Sequence, residues 1–265
     1  MFKNGFKRIQ KLDLMHMAKL FTCFAFASTV YMSPVFGQQI ILDGNTDTNI
    51  SINANITNVS TKTIYNNNAF NSFHRLNVDK GNTVNLIVPS NANNLINLIH
   101  SEKSNINGIL NSIKNGQVGG NIFLVNPYGI TVGSQGVINV GSLTAVTPTT
   151  GFMNKFFKSK GNLNIDSVNT LLSGNAPIRS NAVIEINGKI RALENVKLDA
   201  GSIYNYGEIS NTLNDKSEEI SIADIVNITS SKEASEAILT NGEIILKATN
   251  DVITSGQIKS TGNTN

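Results

Sequence analysis

At 265 residues the chain has room for one large domain or two small ones; with 15% charged residues, 12 Phe, 5 Tyr and no Trp, its core must come from Ile, Val and Leu. The formal charge of +3 comes from the first 37 residues, which carry +4: Lys3, Lys7, Arg8, Lys11 and Lys19 stand against Asp13. The remainder carries 16 basic and 17 acidic residues and no basic patch interleaved with aromatics, which gives nucleic-acid binding little support. The single cysteine, Cys23, lies in the same leader, so the rest of the chain has no disulfide framework, thiol nucleophile or Cys-ligated metal.

Residues 1–37 read as a secretory signal peptide for the Sec export machinery. A basic region to Lys19 precedes the apolar run Leu20 to Met32, and Val35-Phe36-Gly37 offers small residues for cleavage. That run is short for a membrane span, which makes a retained anchor the weaker reading. Residues 38–65 alternate at even or near-even spacing (Ile40, Leu42, Ile50, Ile52, Ile56, Val59, Ile64) and predict short strands forming an N-terminal β cap. From Ala69 to Leu86, Asp79-Lys80-Gly81-Asn82 is a turn between two strands. His74 has no second His, Cys or carboxylate near it in sequence and reads as a partly exposed strand residue.

Residues 91–121 are Asn-rich, and Leu95, Leu98 and Ile99, then Ile106, Ile109, Leu110 and Ile113, predict a helical or irregular segment. Ile122 to Val125 is a buried strand. Asn126-Pro127-Tyr128-Gly129 then has Asn at the first turn position, Pro presetting φ at the second and Gly at the fourth. Gly133, Gly136 and Gly141 punctuate the strands that follow. Phe152 to Lys158 is a short amphipathic piece expected to cover the side of a β stack. From 181 onward a repeat emerges: Ile184 to Ile190, Ile203 to Ile209 and Val252 to Ile258 share the pattern apolar-Xaa-Xaa-Xaa-Gly-Xaa-Ile. A period near twenty residues predicts the coils of a parallel β-helix, with a polar insert near 211–240. Each coil buries its inward row only by stacking on the next, so the sequence reads as the front end of something longer. Asn is over-used, 40 of 265, which fits side-chain ladders between coils or a compositional bias of the genome.

Catalytic and metal chemistry is sparse. Between Thr48 and Asp166 only Asp79 and Glu102 are acidic, too few for the paired carboxylates of a glycosidase or the acidic cluster of a calcium-dependent lyase. Two histidines beyond the leader, His74 and His100, do not suggest a zinc site. No Gly-Xaa-Ser-Xaa-Gly, Walker or dinucleotide pattern occurs. No cofactor and no catalytic residue is expected.

Two blocks resemble the secretion domain of two-partner-secretion exoproteins, the filamentous-haemagglutinin family. The first is Asn126, Pro127, Gly129, Ile130, Gly133, Asn139, Val140, Gly141 and Leu143, where Tyr128 departs from the family's usual Asn. The second is Phe73, Leu76, Asn77, Val78, Gly81, Val84 and Leu86. The resemblance implies an all-β, right-handed parallel β-helix with an N-terminal β cap and small extra-helical elements, residues 38–265 forming the secretion domain. It also implies recognition in the periplasm by an outer-membrane β-barrel transporter with periplasmic domains, through Asn126, Pro127, Tyr128, Gly129 and Ile130. Asn93, Asn94 and Leu95 are the counterpart of a second recognition motif. Val132 and Gln135 stand where haemolysin-like members carry a Cys pair, so the chain is similar to the cysteine-free adhesin or leukotoxin branch. Any host-cell surface ligand belongs to a downstream region, and the exoprotein is secreted or cell-surface in a Gram-negative bacterium. The competing reading is a secreted β-helix carbohydrate-binding or carbohydrate-cleaving protein, which needs an acidic and aromatic cleft on one sheet face.

Overall fold

The computed structural model describes residues 39–159, 161–211, 236–237 and 242–260. The expected signal peptide lies outside these residues, as does the polar insert apart from Asn211 and the strand Glu236–Ala237.

Successive coils visit three parallel sheets in the order A, C, B. The first coil gives Asn68–Leu76 to sheet A and Thr83–Ile87 to sheet B, and meets sheet C only through the bridge of Val78 to Ile106. The second contributes Asn94–Ile99, Ser104–Ile106 and Ile109–Lys114; the third contributes Asn121–Val125, Ile130–Val132 and Val137–Val140. Ser142–Val146, Val183–Ile186 and Lys189–Ala192 make the fourth, and Val196–Ala200, Ser202–Asn205 and Glu208–Ser210 the fifth. Ile244–Ala248, Val252–Thr254 and Gln257–Lys259 make the sixth. Like strands of neighbouring coils pair in parallel throughout, as in Ile122 between Leu95 and Leu143. Winding the same way through three sheets gives a right-handed parallel β-helix, the hand that parallel crossovers adopt.

Alternation places one side chain in two inside the tube. In Thr83–Ile87 the inward pair is Val84 and Leu86, and rows such as Val84–Leu110–Ile138–Ile190–Ile209–Ile258 run the length of the core. The open end is closed by the cap foreseen over 38–65. Ile40–Leu42 pairs antiparallel with the first coil, and the hairpin Thr48–Asn53/Ile56–Thr61 lays its second strand parallel on Thr83–Ile87. Pairing that edge removes a row of free backbone groups that would invite aggregation.

The corners explain the glycine spacing. Gly108, Gly136, Gly188, Gly207 and Gly256 stack in one column between sheets C and B. A Cβ on Gly136, Gly188, Gly207 or Gly256 would lie under 3.0 Å from a main-chain carbonyl oxygen of the preceding coil. The repeat Ile184–Ile190, Ile203–Ile209, Val252–Ile258 is this corner seen in successive coils, with Ile184, Ile203 and Val252 in register.

Asn side chains do form ladders. On the outer face of sheet B, Asn85 Nδ2 donates to Asn58 Oδ1 at 2.9 Å, Asn111 to Asn85 at 3.0 Å and Asn139 to Asn111 at 2.9 Å. A second ladder runs Asn68–Asn94–Asn121 at the start of sheet A, with bonds of 2.7 and 3.1 Å.

Residues 91–121 depart from expectation: they form the second coil, not a helical or irregular segment. The apolar spacing misleads because sheet A is buried on both faces here, and strands buried on both faces lose their alternation. Its outer face is covered by an excursion between Val146 and Val183. Helix α1 (Thr150–Met153) and helix α2 (Ile165–Leu172) flank the small pair Phe157–Ser159/Asn162–Leu163. Phe156, Met153, Val168 and Leu171 pack on Phe70, Ile96, Leu98, Val125 and Val146 as a second core. The piece around Phe152 to Lys158 thus covers the stack as expected. Helix α2 is capped by Asn164, whose side chain accepts from Asp166 N at 3.2 Å, with Asp166 in the first turn favouring the helix dipole. The excursion returns to its point of departure: Thr149 N donates to Pro177 O at 2.7 Å and Arg179 N to Thr147 O at 2.9 Å.

Candidate functional site

The Asn126–Gly129 turn joins sheet A to sheet C in the third coil. Pro127 restricts Asn126 to extended backbone, so the strand carries straight into the turn. Two local bonds then close it: Tyr128 N donates to Asn126 Oδ1 at 2.8 Å, and Gly129 N to Asn126 O at 3.2 Å. The first makes an Asx-turn, the reason Asn suits the leading position. Gly129 holds φ +101° and faces Val183 O, which a Cβ would approach to 2.6 Å, so no side chain fits there.

Asn126 is fully buried, and the coils on either side hold it. Its Nδ2 donates to Glu102 O at 2.9 Å and to Ser104 Oγ at 3.0 Å in the second coil, while its backbone N donates to Val146 O at 3.0 Å in the fourth. Every donor and acceptor of this amide is therefore used inside the protein. Pro127, Gly129 and Ile130 are buried too, and only Tyr128, 38% exposed, reaches the surface. The departure at Tyr128 is accommodated because its ring faces outward.

Arg179 completes the turn from the returning arm of the excursion. Its Nη1 donates to Pro127 O at 3.1 Å, its Cζ sits 5.2 Å from the centre of the Tyr128 ring, and its Nε donates to Asn181 at 2.8 Å. Sequence reading missed this residue. It lies 52 positions from Pro127, and no local pattern ties a lone Arg to a distant turn.

Asn93, Asn94 and Leu95 enter sheet A at the opposite end of the strands. Asn94 and Leu95 pair with Asn121 and Ile122, so they underlie the strand leading to the turn but do not reach it. Asn94 is a rung of the second ladder, Leu95 is core, and Asn93 is exposed. The structure therefore brings Asn126, Pro127, Tyr128, Gly129 and Ile130 together with Arg179, and leaves Asn93 to Leu95 at another corner.

His74 is exposed on its strand as expected, with Nδ1 3.1 Å from Ser101 Oγ. It is not isolated in space, however, because the coil stacking brings His100 within electrostatic range. His100 is largely buried: Nε2 lies 3.7 Å from Asp43 Oδ2, and the ring packs at 6.2 Å from Phe157. Burial pushes its pKa below 6.5, Asp43 opposes that, and His74 adds to it. Asp43 anchors the cap, accepting from Ser72 Oγ at 2.6 Å and Asn45 N at 2.9 Å.

Among the described residues no three His, Cys, Asp or Glu side chains are grouped to hold a metal ion, and no helix is long and apolar enough to cross a membrane. A cavity between α2 and sheet A, lined by Phe123, Val146, Leu171, Lys197 and Asp199, measures about 70 Å³, against roughly 300–1,000 Å³ for a typical ligand pocket.

Comparison with known proteins places this architecture. A model of the TPS secretion domain matches residues 38–264, from the cap through the last coil. The crystal structure of the HMW1 secretion domain from Haemophilus influenzae is 21% identical, with a TM-score of 0.43, over 64% of this chain and 40% of that one. A search of curated proteins returns no match. The match over 38–264 spans the whole coiled region and the turn within it, and the chain belongs to the TPS secretion domain family.

Proposed function

We propose that this chain is the N-terminal secretion domain of a large exported adhesin or related exoprotein, exported by the Sec machinery and taken across the outer membrane by a cognate β-barrel transporter. The match of the TPS secretion domain over residues 38–264 is the observation that carries this reading. The residues of the turn, Asn126 to Ile130, are the transporter-recognition segment, and Asn93 to Leu95 a second one. Because Asn126 has no free donor or acceptor once the coils close, its amide is read while this part of the chain is still extended. Strand addition to the periplasmic domains of the transporter is the docking mode that an extended β-forming segment offers. Outside the cell each coil finds a paired edge on the coil before it, and stacking biases transit outward. Adhesion or another effector activity belongs to the exoprotein as a whole.

The test is export. Replacing Asn126 or Pro127 by Ala in cells carrying the transporter is expected to leave the chain in the periplasm. Wild-type amounts of both variants in the medium would remove the turn from the recognition step.

Carbohydrate binding is a second reading, favoured by one patch on the outer face of sheet C. Tyr204 and the exposed Tyr206 lie 6.4 Å apart with rings inclined by 33°, one coil above the hydrogen-bonded pair Asn187–Glu185. Titrating the domain with soluble oligosaccharides while following tyrosine resonances would detect it.

A further inference from the structure

We propose that Arg179 is a positioning residue that closes the Asn126–Gly129 turn and displaces a transporter bound there, so that its arrival marks release; this rests on the transporter reading above. The folded turn spends the groups of Asn126 on the second and fourth coils, while the Pro127 carbonyl and the partly exposed Tyr128 ring meet the returning arm of the excursion. Arg179 occupies both, by one hydrogen bond and one cation–π contact. A partner holding the turn by these groups cannot keep them once Arg179 docks.

Chain order fixes the sequence of events. Arg179 lies 52 residues beyond Pro127, roughly 180 Å of fully extended chain. It reaches the turn only after that length has been delivered and the excursion has folded back. The ladder of Thr149 N to Pro177 O and Arg179 N to Thr147 O brings it there, and Gly129 passing against Val183 seals the other flank. The excursion is in this sense a delay, and the guanidinium ends it.

The experiment follows the full chain in cells with its transporter and measures the fraction that co-purifies with the transporter during export. Arg179→Ala is expected to raise that fraction about fivefold, the effect of losing roughly one such contact, and Arg179→Lys to raise it less, since an ammonium keeps the charge over the ring but not the planar fork. Leu86→Ala is the stability control: it cuts into the inner core of the first coil, away from both the turn and the excursion, and is expected to leave the fraction at the wild-type level. A wild-type fraction for Arg179→Ala, or an equal rise for Leu86→Ala, would overturn the proposal. Asn126→Ala separates the two layers of the argument. If that variant associates and exports normally, the recognition reading fails whatever Arg179 does; if it fails to associate while Arg179→Ala shows no retention, only the release role is lost.

Discussion

Replacing Gly188 by Ala puts a methyl group where two carbonyl oxygens of the coil beneath, Gly136 O and Gly133 O, already lie, with Gly136 C at 3.1 Å. Neither obstacle is a side chain that could rotate away. Relief needs on the order of 1 Å of separation between the third and fourth coils in a close-packed interior. That movement falls on the bonds flanking the corner, Gly188 N to Val132 O at 3.2 Å and Lys189 N to Gly136 O at 2.9 Å. Losing two ladder bonds at about 1 kcal/mol each, with overpacking of about 1–3 kcal/mol, gives a cost of about 3–5 kcal/mol. For a domain of this size the melting temperature falls by roughly 6–20 °C. Urea and thermal unfolding of the purified domain, followed by circular dichroism, measure it. Gly151→Ala is the companion: nothing lies within 4 Å of its added carbon, and a first-turn helical Ala is expected to gain about 0.5–1 kcal/mol. Gly207→Ala meets Gly188 O across the next gap of the same column, between the fourth and fifth coils, and is expected to cost a similar amount. An unfolding midpoint unchanged by Gly188→Ala would refute the reasoning.

The ladder and the buried histidine supply further tests. Asn111→Ala removes a middle rung with two amide bonds and should cost about 1–2 kcal/mol, whereas Asn58→Ala removes the end rung with one and should cost about half as much; equal urea midpoints would show that the rungs do not act as a series. His100 has its folded pKa below the ordinary 6.5, so the unfolded chain takes up a proton first. Its contribution to stability is present above about pH 6.5 and is lost as pH falls from there toward the folded value. Thermal midpoints of the wild type should drop across that window relative to His100→Gln, and parallel curves for the two proteins would assign the pH dependence elsewhere.

Much of the fold is legible in the sequence because the corners carry residues with one physical use. The column at Gly188, Gly207 and Gly256 is visible as a repeat since only a residue without Cβ passes under the next coil. Asn126-Pro127-Tyr128-Gly129 is visible as a turn because its side chains make the turn themselves. What hides is everything settled by a distant partner. The second coil looks irregular because Phe156, Val168 and Leu171, far along the chain, bury the side of sheet A that should have been polar. Arg179 is invisible for the same reason, and so is His100 beside Asp43. The early coils also escape a twenty-residue period. Asn68, Asn94 and Asn121 stand in register across longer intervals, the extra residues being placed in corners that leave strand pairing untouched.

The amide ladder on sheet B runs from the cap residue Asn58 through Asn85 and Asn111 to Asn139, and the next residue in that column is Arg191. Under tension along the tube axis the coils are links in a chain, each as strong as the bonds between it and its neighbour. Side chains rivet these first links as well as main chain, and later links are fastened by other side chains: Lys189 faces Glu208 at 3.7 Å between the fourth and fifth coils, and Asn205 Nδ2 donates to Thr254 Oγ1 at 3.1 Å between the fifth and sixth. A pull along the axis is therefore shared between backbone ladders and side chains, with amides carrying the side-chain load near the cap and mixed pairs carrying it further on.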